Sequence, residues 1–199
     1  MGKVITAASM SLDGYIAGPD ESGFDRLFAW YGNGDQVVET AHPELTWHMT
    51  KASAELLRRD IAALGAFVVG RRLFDLTGGW GGSHPFDRPV VVVSHSVPDG
   101  WPRPDAPFTF VSDIGAAVAR ARELAGGRDV GVNGGTIARQ CLAAGLLDEI
   151  WVALVPLLLG GGTPFFDHVA NAPVDLDGPF EIVPDQGVTH LRYRVTARP

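Results

Sequence analysis

Apolar and polar positions along the chain repeatedly switch period, and each switch predicts an element. The β-branched run "KVITAAS" (3–9) predicts a buried strand, and "SLDGYIAGPDESG" (11–23), with its Asp-Gly and Gly-Pro steps, a turn and loop. Residues 24–47 are aromatic-rich without a clear period and read as an irregular insertion. In "TKASAELLRRDIAAL" (50–64) the spacing places Leu56, Leu57, Ile61 and Leu64 on one helical face, with Arg58, Arg59 and Asp60 turned elsewhere. The alternation then recurs. "AFVVG" is a strand, "RRLFDL" a short helical turn, "GGWGGSHPFDRP" a loop of breakers and "VVVVS" a strand buried on both faces. "FTFV" predicts a strand, "DIGAAVARARELA" a helix capped by Asp113, "DVGV" a strand and "GGTIARQCLAAG" a helix stopped by Gly145. "EIWVALVPLLLG" reads as a long apolar strand. "FEIVPDQGVTHLRYRV" alternates on both sides of Asp-Gln-Gly, as an antiparallel hairpin does.

Strands alternating with helices predict a three-layer α/β/α fold, its central sheet mostly parallel with an antiparallel C-terminal hairpin. The 199 residues are read as a single domain spanning 1–199. In such sheets ligands bind at the carboxyl ends of the strands. Gly70–Arg71, Ser94–His95 and Asn133–Gly135 all fall there.

Composition narrows the picture modestly. Apolar residues make up 46% and charged residues 20%, ordinary for a globular protein. A net charge of −7 without a basic run argues against nucleic acid as the partner. No apolar run reaches the ~20 residues of a membrane span, and the N-terminal residues lack a secretory leader, so a cytoplasmic protein that does not engage membranes is expected. The lone Cys141 sits inside an apolar helical pattern and reads as a buried structural thiol. One cysteine cannot supply a zinc-binding His/Cys set, and no metal site is expected.

Three clusters carry candidate chemistry. Gly70 closes a strand and Arg71 and Arg72 follow at once; they read either as solvated helix charges or as a planar fork for phosphate. Ser94 and His95 offer a hydroxyl donor and a titratable ring at the next strand end. Asn133, Gly134 and Gly135 lead into Thr136 and Ile137 at a helix start, where free N–H groups favour an anion. No third glycine follows at the dinucleotide-fingerprint spacing.

The set "SLDGYIAG", "VVGRRLFDLTGGWGG", "VVVVSHS", "VNGGTIARQCLAAGLLDEI" and "PLLLGGGTPFF" resembles, in order and over nearly the whole chain, the dihydrofolate reductase superfamily. It is most similar to the branch of the reductase domain of bifunctional riboflavin-biosynthesis deaminase/reductases and its stand-alone relatives. The resemblance implies an NADPH-dependent reductase, usually a homodimer, acting on a small heterocyclic or carbonyl substrate such as a pyrimidine or pterin. It assigns Gly70, Arg71, Arg72, Ser94 and His95 to the adenosine 2′-phosphate, and Asn133, Gly134, Gly135, Thr136 and Ile137 to the pyrophosphate. A cis peptide is expected at Asn133–Gly134 or Gly134–Gly135. The nicotinamide is expected near Ala8, Ser9 and Ile16.

Asp13 is the catalytic candidate, read either as a polar group facing substrate or as an Asp-Gly turn residue. Trp80 reads as a pocket wall or a loop anchor. Gly160 and Gly161, with Gly162, border the substrate cleft or permit a sharp turn. The helix carboxylate of folate reductases falls by family spacing near Ala54, with Glu55 adjacent; Glu44 lies too far upstream, and the supporting threonine falls near Ala153. Dihydrofolate is therefore disfavoured as substrate, and with no zinc-binding His/Cys set in the sequence a deaminase half is not expected. The middle of the chain is poor in cations for a substrate phosphate, offering Lys51, Arg58, Arg59 and Arg88. A catalytically silent NADP(H)-binding or sensor protein is the alternative.

Overall fold

The computed structural model describes residues 2–170 and 172–196. In chain order the elements are β1 (Val4–Ser11), β2 (Tyr15–Ala17), α1 (Phe24–Leu27), β3 (Gln36–Val38), β4 (Trp47–Met49), α2 (Lys51–Ala63), β5 (Leu64–Gly70) and α3 (Arg71–Leu76). They continue with β6 (Val90–Val93), β7 (Phe108–Val111), α4 (Ile114–Ala125), β8 (Asp129–Val132), α5 (Thr136–Ala143), β9 (Glu149–Val155), β10 (Thr163–Pro164), β11 (Leu176–Asp185) and β12 (Val188–Val195).

Eight strands form one sheet in the order β11-β12-β9-β1-β8-β5-β6-β7. From β9 to β7 every neighbour is parallel, and the β11–β12 hairpin joins β9 antiparallel, with His190 opposite Ala153 and Arg192 opposite Trp151. This is the mostly parallel α/β sheet with an antiparallel C-terminal hairpin that the alternating pattern predicts. Period-two alternation sends Val4, Val68, Val91 and Val130 to one face, where Ala117, Val118 and Ala121 of α4 and Ile137 and Cys141 of α5 cover them. Cys141 is fully buried, and burial pushes its thiol up to about 12. Val69, Val90 and Val92 face the opposite side, packed with Phe74 and Phe108.

Local chemistry sets the element ends. Asp113 accepts the Ala116 N–H at 2.8 Å and caps α4. Gly145 turns the chain with φ 67° after α5. Three segments differ from the sequence pattern. The strand read over 149–160 ends at Val155, because Pro156 has no N–H to continue a ladder. The region 24–47 contains α1, a 3₁₀ turn, β3 and the start of β4, held by packed aromatics: Trp30 stacks on Tyr31 at 4.0 Å and Tyr31 meets Trp47 at a tilt at 4.8 Å. Tyr15–Ala17, read as loop, pairs with β10. Among the described residues no helix is long and apolar enough to cross a membrane.

Candidate functional site

The carboxyl ends of β5 and β8 lie side by side, and Asn133 ties them together. Its N–H donates to the Val68 carbonyl at 3.1 Å, its Oδ1 accepts the Gly70 N–H at 2.9 Å, and its Nδ2 donates to the Gly134 carbonyl at 3.0 Å. Gly135 then takes φ 71°, ψ −134°, a conformation that side-chain-bearing residues rarely adopt, and its N–H donates to the Phe165 carbonyl at 3.2 Å. A Cβ on Gly134 would sit 3.0 Å from Ile16 and 3.2 Å from Phe165, so that glycine permits close packing of two hydrophobic side chains. The expected cis bond is corrected: the cis peptides of the described residues all precede prolines, and Gly135's backbone makes the reversal without the ~3 kcal/mol of a non-proline cis bond.

Helix α5 starts at Thr136 with no side chain capping it, so its first-turn N–H groups are open to an anion. Ile137 packs against Gly70, where a Cβ would come within 3.1 Å. The turn Asn133–Gly135 and the start of α5 at Thr136 and Ile137 are thus brought against Gly70, with Ile16 beside Gly134.

The arginines stand at the outer edge of this rim. Arg71 Nε donates to Asp75 at 2.8 Å, and its Nη1 reaches the Ser96 carbonyl and Oγ at 3.3 and 3.2 Å. Arg72 Nε donates to Glu21 at 2.5 Å. Ser94 Oγ donates to the Ser96 carbonyl at 2.6 Å, and His95 is exposed. Both arginines therefore have carboxylate partners. Exposed pairs of this kind are worth ~0–1 kcal/mol, little enough for a phosphate to displace.

Between the sheet and α2 lies a cavity of about 280 Å³, on the face away from α4 and α5. Ala8, Ser9 and Asn133 line it, so the rim and the cavity share Asn133. Its walls are largely apolar, with Leu56, Leu57 and Ile61 on one side and Phe67, Phe86 and Trp151 on the other. The polar groups in it form three sets.

In the first set, Arg192 Nη2 contacts both Asp60 carboxylate oxygens at 2.6 and 2.7 Å, its Nε meets Glu181 at 3.1 Å, and its guanidinium stacks 3.9 Å over Trp151. Burial pushes the Asp60 carboxyl up to about 6 while Arg192 pulls it down. In the second, His84 stacks on Phe67 at 4.1 Å and its Nδ1 accepts the Phe86 N–H at 3.2 Å. Burial, then the nearby His42, holds that ring down to about 3, so it is neutral. In the third, His190 Nε2 lies 2.9 Å from Ser53 Oγ, which lies 2.5 Å from Asp185 Oδ2. Trp30 meets His190 edge-on at 5.0 Å and donates its Nε1–H to Ser9 at 3.0 Å.

Asp13, Trp80, Gly160 and Gly161 are not brought to this cavity. Asp13 is exposed in its turn, accepting from Ser11 at 2.6 Å, Leu159 N–H at 3.1 Å and Gly160 N–H at 2.7 Å. The Ser11 hydrogen bond, aided by those from Gly160 and Leu159, holds its carboxyl below the usual range. It clamps the 159–160 turn, the turn-residue reading of its two. Trp80 stands behind His84 at 4.9 Å, an anchor of the loop. Gly162, at φ 116°, lies where a Cβ would strike the Ala17 carbonyl, so the glycine turn serves the close crossing over β2.

The sequence pattern does not single out Asp60, Ser53, His84, His190 or Arg192 as site residues. It turns Asp60 away from the apolar face, and the structure corrects that: Asp60 lies under α2 because Arg192 neutralises it there. A signal exists. In "VTHLRYRV" the period-two alternation places His190 and Arg192 on one face, and Ser53 and Asp60 are seven residues apart on a helix, two turns along the same side.

The mostly parallel sheet with its antiparallel hairpin is the dihydrofolate reductase-like α/β fold. The RibD C-terminal domain family matches residues 2–177, and the chain belongs to that family. Among solved structures, a riboflavin biosynthesis protein so titled from Shewanella sp. PV-4 superposes with TM-score 0.70 at 22% identity, covering 98% of this chain and 99% of that one. RibD of Acinetobacter baumannii gives 0.61 at 16% identity, and the deaminase/5-amino-6-(5-phosphoribosylamino)uracil reductase of Thermotoga maritima 0.60 at 13%. Each covers 98% of this chain, which spans 58% and 57% of their respective lengths. No curated protein sequence matches the chain.

Proposed function

We propose that the protein is an NADPH-dependent reductase that transfers hydride to a small heterocyclic or carbonyl substrate held beneath α2. The observation that carries this reading is that Asn133, which links Gly70 to the turn before the uncapped start of α5, also lines an apolar cavity. These residues fit a dinucleotide. Around Gly135 a Cβ would find nothing nearer than 3.8 Å, so the backbone leaves room for an approaching phosphate, and the α5 N-terminus faces it with unpaired N–H groups. NADPH, when bound, supplies the hydride. The chain's own residues do the rest. Thr136 and Ile137 hold the pyrophosphate through their N–H groups, and Arg71, Ser94 and Ser96 meet the 2′-phosphate. Ala8 and Ser9 border the nicotinamide, and α2 excludes water from the cavity.

The substrate ring is proposed to enter without a phosphate inside the cavity. Arg192 is the cationic side chain among the described lining residues, and Asp60 and Glu181 already engage it. A phosphate on the substrate would lie outside. Calorimetric titration tests the reading: NADPH is expected to bind at least tenfold more tightly than NADH, and Arg71→Ala is expected to erase most of that difference. Equal affinities in the parent protein would overturn the 2′-phosphate assignment.

A further inference from the structure

We propose that His190 is a specificity-determining residue of the cavity, an obligate hydrogen-bond acceptor that selects planar ligands presenting an amino or ring N–H group. The proposal deepens the reductase reading and rests on it for the identity of the site. Its basis is a chain of three polar groups behind the cavity wall.

Asp185 Oδ2 receives hydrogen bonds from Thr50 Oγ1, from the Ser53 N–H at 3.1 Å and from Ser53 Oγ at 2.5 Å, and Oδ1 receives the Gln186 N–H at 2.7 Å. Burial opposes its charge, but these donors outweigh burial and hold the carboxyl below its usual range, so it is ionised. An ionised carboxylate can accept but not donate. The single Ser53 hydroxyl proton must therefore point at Asp185, and Ser53 Oγ can meet His190 Nε2 at 2.9 Å only as an acceptor. Nε2 carries the ring proton, and Nδ1 is left with a lone pair.

Nδ1 has no partner among the described residues and is not sealed from solvent, although the residue is only 7% exposed and lines the cavity. An acceptor on so little exposed a residue penalises any ligand that covers it and leaves it unpaired. The ring cannot turn to satisfy itself, because Trp30 packs edge-on against it and the Ser53 hydrogen bond fixes Nε2. Its place is telling. His190 is the cross-strand neighbour of Ala153, and Ser53 adjoins Ala54, the two positions where the folate-enzyme pattern would set a threonine and a helix carboxylate. Here a neutral imidazole, backed by a serine and a carboxylate, faces the ligand instead.

The experiment uses an isosteric pair, 2-aminopyrimidine and 2-methylpyrimidine, titrated by NMR into the ¹⁵N-histidine-labelled protein. The free protein is expected to show His190 as the neutral Nε2–H tautomer at pH 7. The Nδ1 resonance is expected to move with 2-aminopyrimidine, which should bind at least fivefold more tightly than its methyl analogue. His190→Phe keeps the aromatic packing on Trp30 and should abolish that preference while leaving NADPH affinity unchanged. An Nδ1–H tautomer, a preference that survives His190→Phe, or no binding of either ring at millimolar concentration would each overturn the proposal. NADPH affinity, measured alongside, separates the two readings: its loss in the parent protein would sink the reductase assignment and leave the histidine result standing.

Discussion

Two imidazoles buried without charge tie stability to pH. His84 titrates near 3 and His190 near 4, against 6.5 for an exposed histidine, chiefly because burial disfavours the cation. A base whose folded pKa is depressed binds fewer protons in the native than in the unfolded chain. Its stabilisation is complete above about pH 6.5 and is lost progressively as pH falls from there to the folded value, about 4 for His190 and about 3 for His84. Each tenfold loss of proton affinity on folding is worth roughly 1.4 kcal/mol, so the pair amounts to several kcal/mol. Asp60, raised to about 6, acts in the opposite sense between pH 6 and 3.8, but its smaller displacement does not cancel two histidines. The urea midpoint should therefore fall between pH 7 and 4.5, and His84→Phe, which retains the stack on Phe67, should flatten that fall. An identical pH slope in the variant would contradict the burial argument. None of this is visible residue by residue in the sequence. A histidine in "GGSHPF" reads as a loop residue until the stack on Phe67 buries it.

Elements are more legible than the contacts inside them. The strands and helices from β5 to α5 follow periodicity and caps, and the strand-end glycine clusters stand out because a βα turn needs them. What escapes are the features set by long-range pairing: β2, whose partner β10 lies well over a hundred residues away, and the polar face of α2, whose partner Arg192 arrives on the last strand. The turn before α5 yields the clearest element-scale test. A Cβ at Gly135 would make only ordinary contact, 3.8 Å from Thr163 and 3.9 Å from Ile16, so the penalty of Gly135→Ala comes from its backbone, φ 71° and ψ −134°. Forcing an alanine there should cost about 1–3 kcal/mol. Gly145→Ala serves as a control, being a positive-φ glycine (φ 67°) in open space at the far end of α5. Both should lower the unfolding midpoint, yet Gly135→Ala alone should weaken NADPH binding, since only its turn presents the pyrophosphate N–H groups. Equal NADPH affinity in the two variants would mean that the turn is structural and no more.

At the scale of the whole molecule, the sheet ends on one side in β11, an edge strand exposing Leu176, Phe180 and Ile182, the last 56% exposed. An apolar edge left open invites another strand or surface. We propose that the homodimer implied by the family resemblance is built on this edge. Sedimentation should give twice the mass of one chain, and Ile182→Lys should give monomers; a parent protein that sediments as one chain would refute the dimer. The cofactor rim lies toward the other half of the sheet, around β5, β6 and β8, so the variant should keep its NADPH affinity. Whether this rim holds the dinucleotide is read from amide chemical shifts during titration of the ¹⁵N-labelled protein with NADP⁺. The largest changes are expected at Gly70, Ser96, Asn133, Gly135, Thr136 and Ile137, with smaller ones at Ala8 and Ser9. Saturable binding that leaves these amides unmoved, or no binding at all, would show that the rim does not hold the dinucleotide.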